Sequence, residues 1–399
     1  MPTLHPLLVM DYAFSYLGGA QTAVVQQALA LARAGHAVTV AAPDATSCAE
    51  LQGTGIALHD VPPSCPFPLL GLPLVRAGAA TRARLERLMD AAGTDLVLTH
   101  SEHGLAAAAL RVSRGRGIPT MHTVHTFFLR GPERAGFLAP VARGMHRAFT
   151  GLPDPRVRLA PRPLDSALRG MTVAIGREAD LVLSPSRHQA VELRRAGLAG
   201  VEVLSNTSCA ARGPAAALPE AGPLRLVWAA RFAPEKRLAV MLDAMALVAE
   251  RADPGAVHLD LAGGEPRAAV PAGVTAHGRV PAAAVAALLR GAHAAVITSL
   301  GFDNQPMIAM EAFAEGRPAI VSDPVLATEF GGAALLADAT DAQGLAATIL
   351  RLAADRRLLD APAAEATRTA AAVAPAAHAR SLEEARLRIV RAARGAATA

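Results

Sequence analysis

One pattern of short strands and helices is written twice along this chain, and that repetition limits its fold more than any other feature. Leu7–Met10 is an apolar run, Asp11–Gly19 a loop, and Ala20–Ala34 a helical segment with Val24, Ala28 and Leu31 at helical spacing. Gly35 stands where a C-terminal cap belongs, and Ala37–Ala41 reads as a second strand. Strand, helix and strand at this spacing imply a parallel, right-handed crossover. Leu96–Thr99, helical Leu105–Arg114, Thr120–Val124, Asp180–Ser184 and Val201–Leu204 continue the series. Ser208–Pro223 then breaks it, being rich in Pro, Gly and Ala and lacking any apolar period. Beyond it the pattern restarts with strand Leu224–Ala229, helix Leu238–Arg251 and strand His258–Ala262. Leu288–His293 belongs to a helix, Ala295–Ser299 is a strand, Pro306–Glu315 a helix and Ala319–Ser322 a strand.

The expected architecture is therefore α/β, with two Rossmann-like parallel-sheet domains facing a central cleft. The domains fall at 1–210 and 224–380, joined by a linker at 211–223. A final helix over 381–399 is expected to pack back across the junction, started by a Ser381/Glu384 capping box and carrying Leu382, Ala385 and Ile389 on one stripe. A chain of 399 residues exceeds one ordinary core, and its 52% apolar content can fill two.

Composition narrows the function classes. No run of 18 apolar residues offers a spanning helix, and Met1–Met10 has neither the basic start nor the cleavage site of a signal peptide. Cys48, Cys65 and Cys209 lie far apart without metal spacing, which fits a reducing cytosol. The expected location is cytoplasmic, with a peripheral position at the inner face of the membrane in view. Net charge is +5, and nearly all the basic charge is arginine. Such a balance suits nucleotide phosphates or acidic lipid surfaces. No helix-turn-helix, zinc or aromatic-basic signature points to nucleic acid.

Three constellations carry chemistry. Arg231 and Lys236 follow the first strand of the second half, and Lys236 is the only lysine in the chain. Arg binds a diphosphate in bidentate fashion and Lys as a point charge, although a solvated basic loop has the same look. The second is Asp303-Asn304-Gln305-Pro306-Met307-Ile308-Ala309-Met310-Glu311. Asp303 or Asn304 is expected to cap a helix that has Pro306 near its first position, and a helix N-terminus is a ready phosphate site. Glu311, one turn deeper and set among Met310, Ala312 and Phe313, suits ribose hydroxyls; a surface glutamate is the plainer reading. The third is Gly18-Gly19, where a phosphate or sugar could approach the backbone. It lacks the G-x-G-x-x-G dinucleotide fingerprint.

The order of glycine-rich loop, Thr123-Val124-His125, Arg231 with Lys236, and an acidic residue separated by seven residues from a Glu resembles the retaining glycosyltransferases of family 4, group 1, which have the GT-B fold. Ser299–Pro318 is the most specific part. The resemblance implies that Arg231 and Lys236 bind the donor diphosphate and Glu311 its ribose. Asp303 and the backbone of Asn304, Gln305, Pro306 and Met307 would hold the transferred sugar, with the Ile308 N–H on phosphate. Gly18 and Gly19 would line the diphosphate, and His125 would contact the sugar near the reacting bond. Gly278 and Arg279 would lie near the base, and Glu265 matches a further position of the pattern. Asp303 departs from that pattern, being one methylene shorter than the usual Glu. The resemblance also implies a nucleotide-diphosphate sugar as substrate, no separate cofactor, and an acceptor that is a sugar or lipid-linked. No D-x-D triplet occurs, in keeping with metal-independent transfer. A nucleotide-sugar epimerase of the same architecture, or a module that binds without turnover, stays open at this point.

Two further features were weighed. His100, His103, His122 and His125 form two H-x2-H pairs at strand ends, where alternating side chains are expected not to converge on a metal. Residues 127–171 hold eight Arg against Glu133, Asp154 and Asp165, with Phe137, Val141, Met145 and Phe149 recurring every four residues. That suits either a helix on its own domain with a solvated basic face, or one lying on an anionic membrane.

Overall fold

The computed structural model describes residues 3–15, 18–64, 73–209 and 222–398. The chain divides into two compact units, Met1–Thr207 with Pro375–Ala399, and Ser208–Ala374. Much of the expected linker, and Cys65, lie outside the described residues.

Unit 1 is built on a parallel sheet of β1 (Pro6–Val9), β2 (Thr39–Ala42), β3 (Ala57–Asp60), β4 (Leu96–Thr99), β5 (Thr120–Thr123), β6 (Leu181–Ser184) and β7 (Val201–Val203). Their spatial order is 3-2-1-4-5-6-7. The helices are α1 (Gly19–Arg33), α2 (Ala79–Ala92), α3 (Gly104–Arg116), α4 (Ala139–Thr150), α5 (Pro163–Gly176) and α6 (Arg187–Arg195). The central strands are buried along their whole length, which is why they read as continuous apolar runs. In β1 the residues alternate between two cores: Leu8 packs with Val24, Ala28 and Leu31 of α1, while Leu7 and Val9 pack with Leu85 of α2 and Leu105 of α3. Each such leucine contributes about 2 kcal/mol of burial.

Unit 2 repeats the plan with β8 (Leu224–Ala229), β9 (Val257–Ala262), β10 (Val274–Ala276), β11 (Ala294–Ile297), β12 (Ala319–Val321) and β13 (Ala334–Leu336). All pairs are parallel, in the order 10-9-8-11-12-13. Around them lie α7 (Leu238–Arg251), α8 (Ala282–Gly291), α9 (Met307–Ala314), α10 (Pro324–Phe330), α11 (Ala342–Ala354) and α12 (Asp360–Ala372). The two orders are the same Rossmann arrangement. Direction reverses between β1 and β4 in one unit and between β8 and β11 in the other, and ligands bind beyond the carboxyl ends of strands at such points.

The last helix, α13, runs Pro375–Thr398 and belongs to unit 1. It starts six residues before the expected Ser381 cap, because Pro375 suits a first helical turn, so Ser381 and Glu384 lie inside the helix. Leu382 and Ala385 join the α1 side of the core. Polar contacts fix the register. His378 donates from Nδ1 to the Ser205 carbonyl at 3.0 Å and accepts at Nε2 from Gln27 at 3.0 Å. His36 meets Glu383 at 2.7 Å, both nearly buried.

Candidate active site

In unit 2, the loop after β8 is shaped by glycines on the neighbouring strand end. Gly263, just past β9, has φ +120°, and a Cβ there would stand 1.9 Å from the Ala230 carbonyl oxygen. A Cβ on Gly264 would stand 2.9 Å from the Phe232 ring. Only glycines let these loops pack, and the packing carries the chain into the short turn Pro234–Lys236. A hydrogen-bond chain ties that turn to the end of β11: Trp228 Nε1 donates to Thr298 Oγ1 at 2.9 Å, and Thr298 Oγ1 donates to the Lys236 carbonyl at 2.6 Å. Arg237, at φ +52°, donates to the carbonyls of Thr298 and Thr340.

The Lys236 side chain is thereby aimed across the strand-order reversal. Its Nζ lies 2.5 Å from Asp303 Oδ1, with only 17% and 10% of the two side chains exposed, and 5.5 Å over the Phe302 ring. Arg231 sits at the rim, half-exposed, and meets Glu235 at 3.2 Å. Two residues expected from separate motifs are one ion pair.

That pairing overturns the expected cap. Pro306 itself occupies the N-cap position of α9, so neither Asp303 nor Asn304 stands there. Asp303 lies three residues before that position, and its carboxylate meets Lys236 instead. The first N–H groups of α9, at Met307 and Ile308, have no carbonyl one turn back within the helix to bond to. Asn304 is buried beside them, with Gln305 at the turn. Glu311, one turn in, is partly buried between Met310 and Ala312, and burial pushes its carboxyl up to about 7. That carboxyl makes no hydrogen bond or ion pair with the other described residues. Farther along the same sheet edge, the Gly263 N–H donates to the Gly278 carbonyl at 2.8 Å. A Cβ on Gly278 would meet Glu265 Oε1 at 2.3 Å, which brings Gly278 and Glu265 together, with exposed Arg279 next in sequence.

Unit 1 gathers its polar residues at the ends of β1, β4 and β5. Gly18 is the N-cap of α1, and its N–H donates to Gln21 Oε1 at 3.2 Å. A Cβ on Gly19 would meet nothing within 4 Å, so the fold itself does not require glycine there. His100 and His125, expected to diverge, converge instead. Parallel β4 and β5 are in register with Thr99 beside His122, so both strand ends open at one place. His100 Nδ1 lies 3.0 Å from His125 Nε2, and the rings stack 22° from parallel. Burial drives His125 down to about 4 and His122 to about 3, leaving both neutral. His122 faces Thr99 Oγ1 instead, and His103 packs edge-on against Tyr12. No group of three potential metal ligands occurs among the described residues.

Sequence reasoning missed the neighbouring carboxylates. Asp11, fully buried, accepts from the N–H groups of Leu105 and Ala106 at 2.7 and 3.1 Å and from Ser101 Oγ at 2.7 Å, capping α3 from the loop after β1. Tyr12 donates to Glu102 at 3.2 Å, and burial raises the Glu102 carboxyl to about 7. The signal was an acidic residue within three residues of the end of each of two apolar strands.

The expected 137/141/145/149 stripe is split. Phe137 is 77% exposed and Val141 54%, with Leu138 beside them, whereas Met145 and Phe149 are partly buried. Arg143 and Arg162 are paired with Asp154 and Asp165, and Arg169 stacks on Phe127 and Phe128. Arg130, Arg134 and Arg147 stay at the surface around the apolar residues. No helix of the described residues is long and apolar enough to cross a membrane.

Comparison with known proteins agrees with this geometry. The sequence profile of Glycosyltransferase Family 4 matches residues 17–207, and that of Glycosyl transferases group 1 matches 223–355. A phosphatidyl-myo-inositol mannosyltransferase of Mycolicibacterium smegmatis is 26% identical over 371 residues, covering 88% of this chain and 85% of that protein. The Mycobacterium tuberculosis protein of the same name is 26% identical over 324 residues, covering 79% and 77%. Among solved structures, Anabaena Alr3699/HepE in complex with UDP and glucose superposes with a TM-score of 0.65 at 15% identity, over 95% of this chain and 98% of that one. Sucrose-phosphate synthase from Thermosynechococcus elongatus gives 0.66 at 18% identity, over 97% and 99%.

Proposed function

Since this chain belongs to the family 4, group 1 glycosyltransferases and has their GT-B fold, we propose that it moves a hexosyl group from a nucleoside diphosphate sugar to an acceptor, with retention at the anomeric carbon and without a metal ion. The observation that carries this reading is the Lys236–Asp303 pair at the strand-order reversal of unit 2, in front of the N-terminus of α9 and a Glu311 carboxyl that has no partner among the described residues.

Breaking the anomeric C–O bond places negative charge on the departing diphosphate. Lys236, Arg231 and the N–H groups of Met307 and Ile308 are cations and dipoles suited to that charge as it develops. Asp303 would accept from sugar hydroxyls while steering Lys236, with the backbone of Asn304 to Met307 beside the same sugar. Glu311 would accept from the ribose hydroxyls, and Gly278 and Arg279 would flank the base. In unit 1, Gly18 and Gly19 would admit the diphosphate, and His125 would donate a hydrogen bond to the sugar. Retention then follows if the acceptor attacks from the face the diphosphate leaves, with a phosphate oxygen taking the acceptor proton.

The acceptor we favour is lipid-borne, in keeping with the chain's similarity to phosphatidyl-myo-inositol mannosyltransferases. The exposed Phe137–Val141 surface among Arg130, Arg134 and Arg147 fits an anionic membrane, with the apolar side chains entering the headgroup layer. Co-sedimentation with anionic vesicles, lost in Phe137→Asp, supports it; equal partition to neutral vesicles removes it. The transfer reading is tested by supplying nucleoside diphosphate sugars in chelator and following the anomeric proton of the product or hydrolysed sugar by NMR. Retained configuration supports the mechanism. Inversion, or turnover only with added metal, overturns it.

A further inference from the structure

We propose that Asp260 and His277 are positioning residues for the nucleotide base: the buried Asp260 carboxylate accepts from His277 Nε2 and steadies the loop that presents Gly278 and Arg279. The proposal rests on the reading that Gly278 and Arg279 flank the base. It starts from a carboxylate in an unusual place. Asp260 is the fourth residue of β9 and only 7% exposed. Its neighbours Leu259 and Leu261 enter the core with Trp228 and Met241. Asp260 therefore points to the opposite face, beside Val227 of β8. An apolar side chain there would cost less to bury, so the carboxylate needs compensating partners.

Two imidazoles supply them. His277 Nε2 lies 2.7 Å from Asp260 Oδ1, and His258 Nε2 lies 3.4 Å from the same oxygen. A carboxylate oxygen only accepts, so the proton of the shorter contact sits on His277 Nε2. The register explains the reach. Thr275 stands opposite Asp260 and Ala276 opposite Leu261, which puts His277 next in line and on the Asp260 face. Its imidazole folds back along the sheet, away from the strand ends where ligands bind.

This contact bears on the loop that follows. β10 is a three-residue edge strand with Val274 half-buried and Thr275 and Ala276 exposed, so burial contributes little to its hold. Backbone bonds tie its end to β9: the His277 N–H donates to the Leu261 carbonyl and the Gly263 N–H to the Gly278 carbonyl, each at 2.8 Å. Those bonds lie in the plane of the sheet. The His277–Asp260 contact lies out of that plane and opposes the rocking that in-plane bonds resist least. Gly278, at φ +67°, has no room for a side chain beside Glu265, so a rocked loop would carry Gly278 and Arg279 away together.

The test is titration calorimetry on the full chain, comparing UDP, GDP and ADP with inorganic pyrophosphate, which has no base. Asp260→Val places an apolar strand former in a buried strand, and the His258 and His277 side chains, 28% and 30% exposed, can turn to water. It should melt at or near the wild-type temperature. Affinity for the nucleotide that the wild type binds should fall about 10-fold, the low end for one charge-assisted hydrogen bond, while affinity for pyrophosphate stays the same. Asp260→Asn, whose amide oxygen still accepts from His277, should keep most of the affinity. Unchanged nucleotide affinity in Asp260→Val, or an equal fall for pyrophosphate, overturns the positioning role. If Asp260→Val does not fold, His277→Gln and His277→Ala decide: the Gln amide can donate to Asp260 and should keep affinity that Ala loses, and equal affinity in the two overturns the proposal. A wild type that binds none of the three nucleotides more tightly than pyrophosphate sinks the base reading of Gly278 and Arg279 and this proposal with it. Tight nucleotide binding that is indifferent to Asp260 sinks this proposal alone.

Discussion

Removing the ammonium of Lys236 should damage the fold of unit 2 as well as donor binding, and the two effects can be separated. Lys236 Nζ is 2.5 Å from Asp303 Oδ1, both side chains are largely buried, and Asp303 Oδ2 has no partner among the described residues. Lys236→Met leaves that carboxylate shut in without a cation. Breaking a buried pair in this way costs about 3–5 kcal/mol, and partial exposure puts this case near the low end, about 3 kcal/mol. For a unit of this size each kcal/mol moves the midpoint by about 2–4 °C, so unit 2 should melt about 6–12 °C lower. Lys236→Met with Asp303→Leu removes both charges and should recover most of the stability, since replacing a buried pair by apolar groups is often neutral. Calorimetric melts of the single and double variants, each with and without donor, are the assay. Recovered melting without recovered donor binding is the expected pattern. A Lys236→Met protein that melts with the wild type would refute the energetic reasoning, and a double variant with normal turnover would show the pair to be structural only.

Other positions give sharper contrasts. Gly263→Ala would push a Cβ to 1.9 Å from the Ala230 carbonyl at φ +120°, so backbone must move and unit 2 should lose several kcal/mol, about 3 or more, in denaturant titrations. Gly19→Ala meets nothing within 4 Å and should melt at or slightly above wild type, yet lose donor turnover; full activity would remove Gly19 from the site. Glu311 has a folded value of about 7, above its ordinary 4.5, so the folded state holds its proton more tightly. Its contribution is therefore unfavourable as pH rises: stability should fall between about pH 4.5 and 7 and level off above, and Glu311→Gln should remove that part of the slope. Donor affinity should run the opposite way, rising through pH 7 as the carboxylate becomes ready for ribose hydroxyls, and a flat affinity profile would count against that role.

The strands were the most legible part of the fold. β4, β8 and α7 lie where their apolar periods put them, since strands and helix faces that enter the core are mostly apolar. β3, an edge strand with half-buried Leu58 and exposed His59, carries no such run, and alanine-rich α12 shows little contrast between faces. At the site, residue types were legible and partners were not. Lys236 and Asp303 are 67 positions apart and meet only because β8 and β11 are neighbours. The same holds for His100 with His125, which adjacent β4 and β5 bring together, and for Asp11, which caps a helix that begins at Gly104. Pairings across a sheet depend on strand order, and strand order is not written in any local period.

The central claim is that unit 2 binds a nucleoside diphosphate sugar through Lys236, α9 and Glu311. Titration calorimetry of UDP, GDP, ADP and their common hexose conjugates into the full chain, in chelator, tests it most directly. The account predicts saturable binding of one nucleotide family that weakens about 10- to 100-fold, the loss of one charge-assisted contact, in the Lys236→Met, Asp303→Leu protein. Absence of binding by every conjugate, or unchanged affinity in that variant, would contradict it.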